Sequence, residues 1–469
     1  MVVMYKQVSL EDIAFFETIV GKNNIFSAEE ISEDYEKDEL GTVKGIPEAV
    51  IKATSTKEVS QIMTYANTNK IPVTVRGSGT GLVGACVPIH GGIVLDMTKM
   101  NHIIGLDEKN LVLEVEPGVL LMDIYEYIEA KGYFYAPDPG EKTATIGGNV
   151  ATNAGGMRAV KYGVTRDWVK AMEVVLPNGE VTQFGRVVAK NSTGYSLKDL
   201  VIGSEGTLCI ITKLYLKVMP LPEKSISLLV PFLNPTTAIT SVPRILQSRL
   251  VPTAIEFFDR NTIGFSENYL GKKFPERKYD AYILLTFDGM SEGEINTQYQ
   301  RAADLCLQEL GAEDVLIVDT QERKDDVWKA RGAFLEAIKA STTQMDECDV
   351  VVPRDKIADY IIFTHQLSEK YGVRIPSFGH AGDGNLHIYI CKDDIDEGTW
   401  KGLLEQVFDC MYDEANRIGG LVSGEHGIGF AKKKYMAKML GEEQIKIMKG
   451  IKEVFDPNHV LNPDKVVSF

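Results

Sequence analysis

The chain has 469 residues, 44% of them hydrophobic and 25% charged, which is the composition of an ordinary globular protein rather than of a bundle of membrane helices. Because single cores stop growing near ~250 to 300 residues, this length implies two or three domains. With 66 Asp plus Glu against 50 Lys plus Arg the net charge is -16, which sets nucleic acid aside as a partner, since phosphates call for clustered Lys and Arg.

The first residues, Met1 to Val8, carry one Lys and are followed at once by Glu11, Asp12 and Glu17. This is unlike a signal or transit peptide, so an unprocessed, cytoplasmic chain is expected. No apolar run nears the ~20 residues of a spanning helix, so the chain is not expected to cross a membrane. Ser55 followed by Glu58 reads as a capping box, and Val59, Ile62, Met63 and Ala66 recur at helical spacing, predicting a helix that ends near Asn69. An alternating strand, Ile71 to Val75, runs into the loop RGSGTGLVG (Arg76 to Gly84), and Gly92 to Met97 reads as another short strand. Leu120 to Lys131 repeats the helical period and stops at Gly132. Val169 to Leu176 and Glu180 to Phe184 then read as a strand pair across the turn Pro177-Asn178-Gly179.

Met219-Pro220-Leu221-Pro222 breaks the strand ending at Val218 and marks a domain boundary. Beyond it, Ser227 to Pro231, Thr236 to Arg249, Tyr282 to Phe287, Asn296 to Leu310 and Val315 to Val318 alternate strand with helix. That exchange predicts an antiparallel sheet with helices on one face, an α+β domain. Helices are expected from Asp355 to Tyr371 and from Thr399 to Ile418, flanking the segment Pro376 to Ile390, and two short ones before Asp456-Pro457-Asn458. The six Cys (86, 209, 306, 348, 391 and 410) lie singly, so no CxxC zinc or iron-sulfur ligand set exists.

Three Gly-rich runs stand out: Arg76 to Gly84; PDPGEKTATIGGNVATNAGG, from Pro137 to Gly156; and IGSEGTLCIIT, from Ile202 to Thr212. Each can be a structural turn, or can let backbone N-H groups approach an anion or a flat ligand. The first is neither a P-loop nor a dinucleotide fingerprint, lacking GKS or GKT and the acidic residue with its long helix. In combination and order, the three runs resemble the flavin-binding segments of FAD-binding oxidoreductases of the vanillyl-alcohol oxidase type, and Asn462-Pro463-Asp464-Lys465 is similar to that family's C-terminal signature. The resemblance implies a two-part FAD-binding domain with an α+β cap domain. On this reading residues 1-45 form an N-terminal extension, 46-221 the FAD-binding domain and 222-418 the cap, and 419-469 return to the FAD domain. It implies that FAD is bound by Arg76, Gly77, Ser78, Gly79, Thr80, Gly81 and Leu82, by Pro137, Thr145, Gly147, Gly148, Asn153 and Gly155, and by Gly203, Glu205, Gly206, Ile210 and Asn462. Thr80 stands where members with covalent flavin carry His, so the FAD is expected to be non-covalent.

Two of the seven His fall in GHAGDGNLH (His380, His387), and a third follows Glu425 in SGEHGIG (His426). Each alone reads as a turn residue. Together, two imidazoles and a carboxylate can hold a divalent metal with positions left open, and the alternation around His387 predicts that His387 and Tyr389 share a face. These motifs resemble the D-2-hydroxyacid dehydrogenase branch of the family. The resemblance implies His380, His387 and Glu425 as ligands of one divalent ion (zinc, iron or manganese), His426 as the base with Tyr389 next in line, and Arg331 as the clamp on a substrate carboxylate. Gly332 stands where many relatives carry an acid, and Tyr389 where the hydroxyglutarate branch has Asn, which favours a small monocarboxylate.

The expected reaction is oxidation of a small 2-hydroxy acid, D-lactate to pyruvate first among them, with proton loss to an imidazole of ordinary pKa near ~6.5. With neither a cluster motif nor a haem-attachment CxxCH in the chain, the electrons are expected to leave to a protein partner, an electron-transferring flavoprotein or an iron-sulfur subunit. The rivals are a glycolate oxidase FAD subunit, an alkylglycerone-phosphate synthase-like flavoenzyme, and a metal- or nucleotide-binding regulatory protein.

Overall fold

Residues 4-274 and 278-469 are described by a computed structural model, residues 321 and 325 for the backbone alone. The chain divides into two units, one of residues 1-154, 164-220 and 426-469, the other of residues 155-163 and 221-425.

In the first unit the expected helix is Thr56–Asn69, and its predicted apolar residues Val59, Ile62, Met63 and Ala66 are all buried. Its cap differs from the expected box. Ser55 accepts from the Glu58 N-H, but the Glu58 carboxylate reaches one residue further back and takes the Thr54 N-H at 2.7 Å. The helix connects two strands, Ala49–Lys52 and Val73–Arg76, that run parallel on either side of Ile93–Asp96. Ile25–Ser27 completes this sheet at its edge. A second, antiparallel sheet orders Ile103–Asp107, Val112–Val115, Ile210–Lys217, Val169–Val175 and Val181–Gly185 side by side, the last two forming the expected hairpin. The helix face packs with Ile51, Val73, Ile93, Leu95, Ile210 and the returning Val460 and Leu461 in one core.

The second unit is built on an antiparallel sheet whose described strands lie in the order Leu316–Val318, Lys224–Phe232, Ala281–Gly289, Ala254–Asp259, Ser377–His380, Asn385–Cys391, Met345–Val351. Two of these, Ala254–Asp259 and Met345–Val351, were not expected from the sequence, because Glu256, Asp346, Glu347 and Asp349 interrupt their apolar pattern. The expectation of helices on one face is also corrected. All nine residues of Ala281–Gly289 are buried, so both faces are covered. Pro235–Gln247 and Glu292–Gln308 pack on Lys224–Phe232 and Ala281–Gly289. Arg260–Leu270, Gln321–Gly332 and Phe334–Ala340 bring Ile263, Val327, Ala330, Phe334 and Ile338 against Leu229, Tyr282, Leu284, Phe378 and Tyr389. Among the described residues no helix is long and apolar enough to cross a membrane.

Candidate active site

In an antiparallel pair, directly opposed residues share a face of the sheet. The register opposes Glu256 to His380, Phe258 to Phe378, Phe378 to His387, Asp349 to His387, Glu347 to Tyr389 and Asn385 to His380. Since residues two apart in a strand also share a face, all of these side chains lie on one side of the sheet. His387 and Tyr389 share a face, as the alternation predicts. The AGDG turn explains the spacing of the two histidines. It folds Ser377–His380 back on Asn385–Cys391, leaving His387 diagonal to His380 across the hairpin, with Asp383 and Gly384 N-H groups both donating to the His380 carbonyl.

The two imidazoles meet through their Nε2 atoms, 3.4 Å apart. Each Nε2 also approaches Glu425 Oε1, at 3.7 Å from His380 and 3.3 Å from His387. The opposite nitrogens are held by carboxylates: His380 Nδ1 lies 2.7 Å from Glu256 Oε1, and His387 Nδ1 3.2 Å from Glu347 Oε1. A carboxylate on Nδ1 fixes the tautomer and aims the Nε2 lone pair, the usual arrangement behind a metal-binding histidine. Glu425 is set by Asp349, whose Oδ2 accepts from Ser423 Oγ at 2.8 Å and from the Gly424 and Glu425 N-H groups at 3.1 and 3.2 Å, while its Oδ1 accepts from Asn385 Nδ2. Gly155 lies against this site: a Cβ there would stand 2.8 Å from Glu425 Oε2, so that carboxylate would have to shift.

Burial lowers the pKa of both imidazoles, but carboxylates overcome it: Glu256 and then Glu425 hold His380 well above its ordinary value, and Glu347 with Glu425 raises His387. Burial alone would raise Glu425, yet the two imidazoles bring its carboxyl well below the usual range. Three carboxylates thus converge on two imidazoles and call for positive charge, which either protons or a divalent ion can supply. The donor set of two imidazole Nε2 atoms and one carboxylate oxygen, all within 4.8 Å of one another, fits such an ion.

Arg331, at the end of Gln321–Gly332, is buried, with Nε and Nη2 donating to Glu256 Oε2 at 2.8 and 2.5 Å and its guanidinium 4.7 Å from the centre of the Phe378 ring. Tyr389 stacks on Phe378 at 5.7 Å. Burial and the neighbouring Glu347 push the Tyr389 hydroxyl well above its ordinary pKa.

In the first unit the Gly-rich runs meet. Gly77 lies against Thr145, where a Cβ would come within 2.0 Å of the Thr145 hydroxyl, and Ser78 Oγ donates to the Thr143 carbonyl. Thr80, Gly81 and Leu82 are partly exposed. Gly147 N-H donates to the Pro117 carbonyl, and the Gly203 and Glu205 N-H groups donate to the Val150 and Ala151 carbonyls. Asn153 ends the Ile146–Thr152 helix in the left-handed conformation and accepts from the Arg166 N-H. Gly148 is exposed at the start of that helix, and a Cβ on Gly206 would stand 3.8 Å from Asn462 Nδ2. Asn462 Nδ2 donates to the Glu205 and Ala85 carbonyls at 2.7 and 3.0 Å. The Glu205 carboxylate accepts from the Ile428 and Gly429 N-H groups, 2.7 Å each, in the loop that follows His426. Burial, opposed by those N-H groups, lifts its pKa to about 7.

Three more of the expected flavin residues make contacts within the protein. The Arg76 guanidinium donates to the Lys37 and Asp34 carbonyls. Ile210 is a core residue, and the Pro137 carbonyl accepts from Tyr125. Asn149 Nδ2, Ser204 Oγ and Asn462 Oδ1 are buried without a protein partner among the described residues. Buried polar atoms are rarely left so, and these, two in the Gly-rich runs and the third on Asn462, which donates to the Glu205 carbonyl, suit a polar cofactor such as FAD.

Sequence reasoning missed Glu256, Glu347, Asp349, Phe378 and Asn385. For the acids a signal exists: carboxylates inside an otherwise buried strand, one in AIEFF and two in ECDVV, are costly unless paired and so mark a site.

Residues 47–185 match the family profile of the FAD binding domain, and residues 221–466 that of the C-terminal domain of FAD linked oxidases. A D-lactate dehydrogenase from Anaerostipes hadrus is 49% identical over 98% of both chains. The glycolate oxidase subunit GlcD of Bacillus subtilis (strain 168) is 38% identical over 92% of this chain and 91% of its own. Among solved structures, p-cresol methylhydroxylase with substrate bound superposes with a TM-score of 0.82 over 99% of both chains at 19% identity. Alkyldihydroxyacetonephosphate synthase gives 0.75 over 98% of this chain and 87% of its own at 18% identity. The chain therefore belongs to the FAD-linked oxidases, FAD-dependent oxidoreductases with the vanillyl-alcohol oxidase-type fold.

Proposed function

We propose that the protein is an FAD-dependent D-2-hydroxyacid dehydrogenase that oxidises D-lactate to pyruvate, with non-covalent FAD and one divalent ion on His380, His387 and Glu425. The observation that carries this reading is the pair of facing imidazoles, each backed by its own carboxylate, with the Glu425 carboxylate near both and Arg331 bound to the same Glu256 that backs His380. The 49% identical D-lactate dehydrogenase supports it.

Bound FAD supplies a two-electron acceptor, and a divalent ion supplies Lewis acidity at the substrate hydroxyl. Arg331 binds the substrate carboxylate as a permanently charged, planar fork and thereby selects the face of the carbinol carbon that is presented. His426, next to Glu425 in the chain, accepts the hydroxyl proton on a ring nitrogen. Phe378 and Tyr389 give the surface beside Arg331 an apolar, water-excluding lining, and Glu347 next to Tyr389 repels a second carboxylate. A monocarboxylate is thus favoured over D-2-hydroxyglutarate.

The electrons leave to a protein acceptor, an electron-transferring flavoprotein or an iron-sulfur subunit. A cytoplasmic location fits the six free cysteines. Turnover tests the reading. With an artificial dye as acceptor, D-lactate is expected to exceed D-2-hydroxyglutarate in kcat/KM by at least ~10-fold, while NAD and oxygen are poor acceptors. Preference for glycolate would favour the glycolate oxidase alternative suggested by the 38% identical relative. Fast turnover with NAD or oxygen alone would contradict the partner requirement, and no turnover with any hydroxy acid would leave only the fold.

A further inference from the structure

Glu256 sits at the centre of the sheet, fully buried, opposed to His380 on one side and to Leu284 on the other. Its two oxygens are divided between two tasks. Oε2 takes both Nε and Nη2 of Arg331, and Oε1 takes Nδ1 of His380. Phe378, two residues before His380, supports the guanidinium from its ring face at 4.7 Å. Arg331 is therefore held between a ring and a carboxylate that both belong to the strand pair carrying His380.

Resting on the function proposed above, we infer that Glu256 is a positioning residue that joins substrate binding to metal binding. One carboxylate orients the guanidinium that receives the substrate and fixes the tautomer of the imidazole that receives the metal. A carboxylate offers enough lone pairs for all three donors. A Gln of the same shape does not: its oxygen can serve Arg331 or His380, and its amide N-H₂ then faces the other donor. If Glu256 served only as the counter-ion of a buried Arg331, His380 would not notice the change.

The test compares wild type, Glu256→Gln and Arg331→Met as FAD-loaded proteins, with flavin absorbance and circular dichroism as controls for folding. Affinity for Mn²⁺ or Zn²⁺ is measured by chelator competition, and KM for D-lactate by dye reduction. Glu256→Gln is expected to weaken the metal ~10- to 100-fold, the scale of losing the partner behind a ligating histidine, and to raise KM together with it. Arg331→Met is expected to raise KM alone. Unchanged metal affinity in Glu256→Gln, whatever its KM, overturns the inference. Should Glu256→Gln not retain FAD, Glu256→Asp keeps the charge but is one methylene too short to reach both partners. It is expected to lose on both readouts, and wild-type metal affinity in that variant overturns the inference equally. A wild-type protein that binds no metal would instead overturn the site assignment on which the inference rests.

Discussion

Replacing His387 by Ala is expected to leave FAD in place, to weaken metal binding by more than the ~10- to 100-fold that follows loss of an outer partner, and to abolish flavin reduction by hydroxy acid. The reasoning is geometric. His387 Nε2 is the nearer imidazole to Glu425 Oε1, at 3.3 Å, and the ring is buried between Glu347 on one nitrogen and His380 on the other. Removing it leaves His380 and Glu425 with one imidazole between them, too few ligands to hold a divalent ion firmly. It also takes one imidazole partner away from the buried Glu347 carboxylate. Metal analysis together with anaerobic flavin reduction checks the expectation. Metal content equal to that of wild type with activity lost would mean that His387 acts on the substrate rather than on an ion.

The second large effect is expected at His426. Its Ala variant should retain FAD and metal yet reduce flavin ~10²-fold or more slowly, the usual scale for removing a positioned base. The residues that follow it are tightly held: a Cβ on Gly427 would stand 2.9 Å from the Glu205 carboxylate, and that carboxylate takes the N-H groups of Ile428 and Gly429. On the other side of His426 in the chain, Asp349 fixes Ser423, Gly424 and Glu425. The histidine thus follows one anchored stretch in the chain and precedes another. Rapid reduction by His426→Ala in stopped-flow measurements would place the base elsewhere. Tyr389, whose hydroxyl burial and Glu347 push well above its ordinary pKa, is the next candidate.

The histidine motifs were legible in the sequence because their spacing encodes a hairpin. In GHAGDGNLH the turn residues fall between the two imidazoles, and the alternation around His387 already assigns its face. The Thr56–Asn69 helix was legible for the same kind of reason, since its apolar residues keep helical spacing and a Ser precedes them. The carboxylates behind the histidines were not. Glu256 is over a hundred positions from His380, and its strand was missed because an acid breaks the apolar run that identifies a buried strand. The feature that hid the strand is the one that makes the site. Helices on both faces escaped notice for a related reason: strands buried on both sides, such as Ala281–Gly289, carry a continuous apolar run that says nothing of what covers each face.

The most direct measurement of the central claim is a single-turnover one, mixing the FAD-loaded protein with D-lactate and, separately, with L-lactate under anaerobic conditions while following the flavin absorbance. The account predicts that D-lactate bleaches the flavin within the catalytic time range and yields one pyruvate per flavin, and that L-lactate does so at least ~10²-fold more slowly, because Arg331 and the site at His380, His387 and Glu425 fix which hydrogen of the carbinol carbon is presented. Equal bleaching by both enantiomers, or none by either in a protein that retains both FAD and metal, would contradict it.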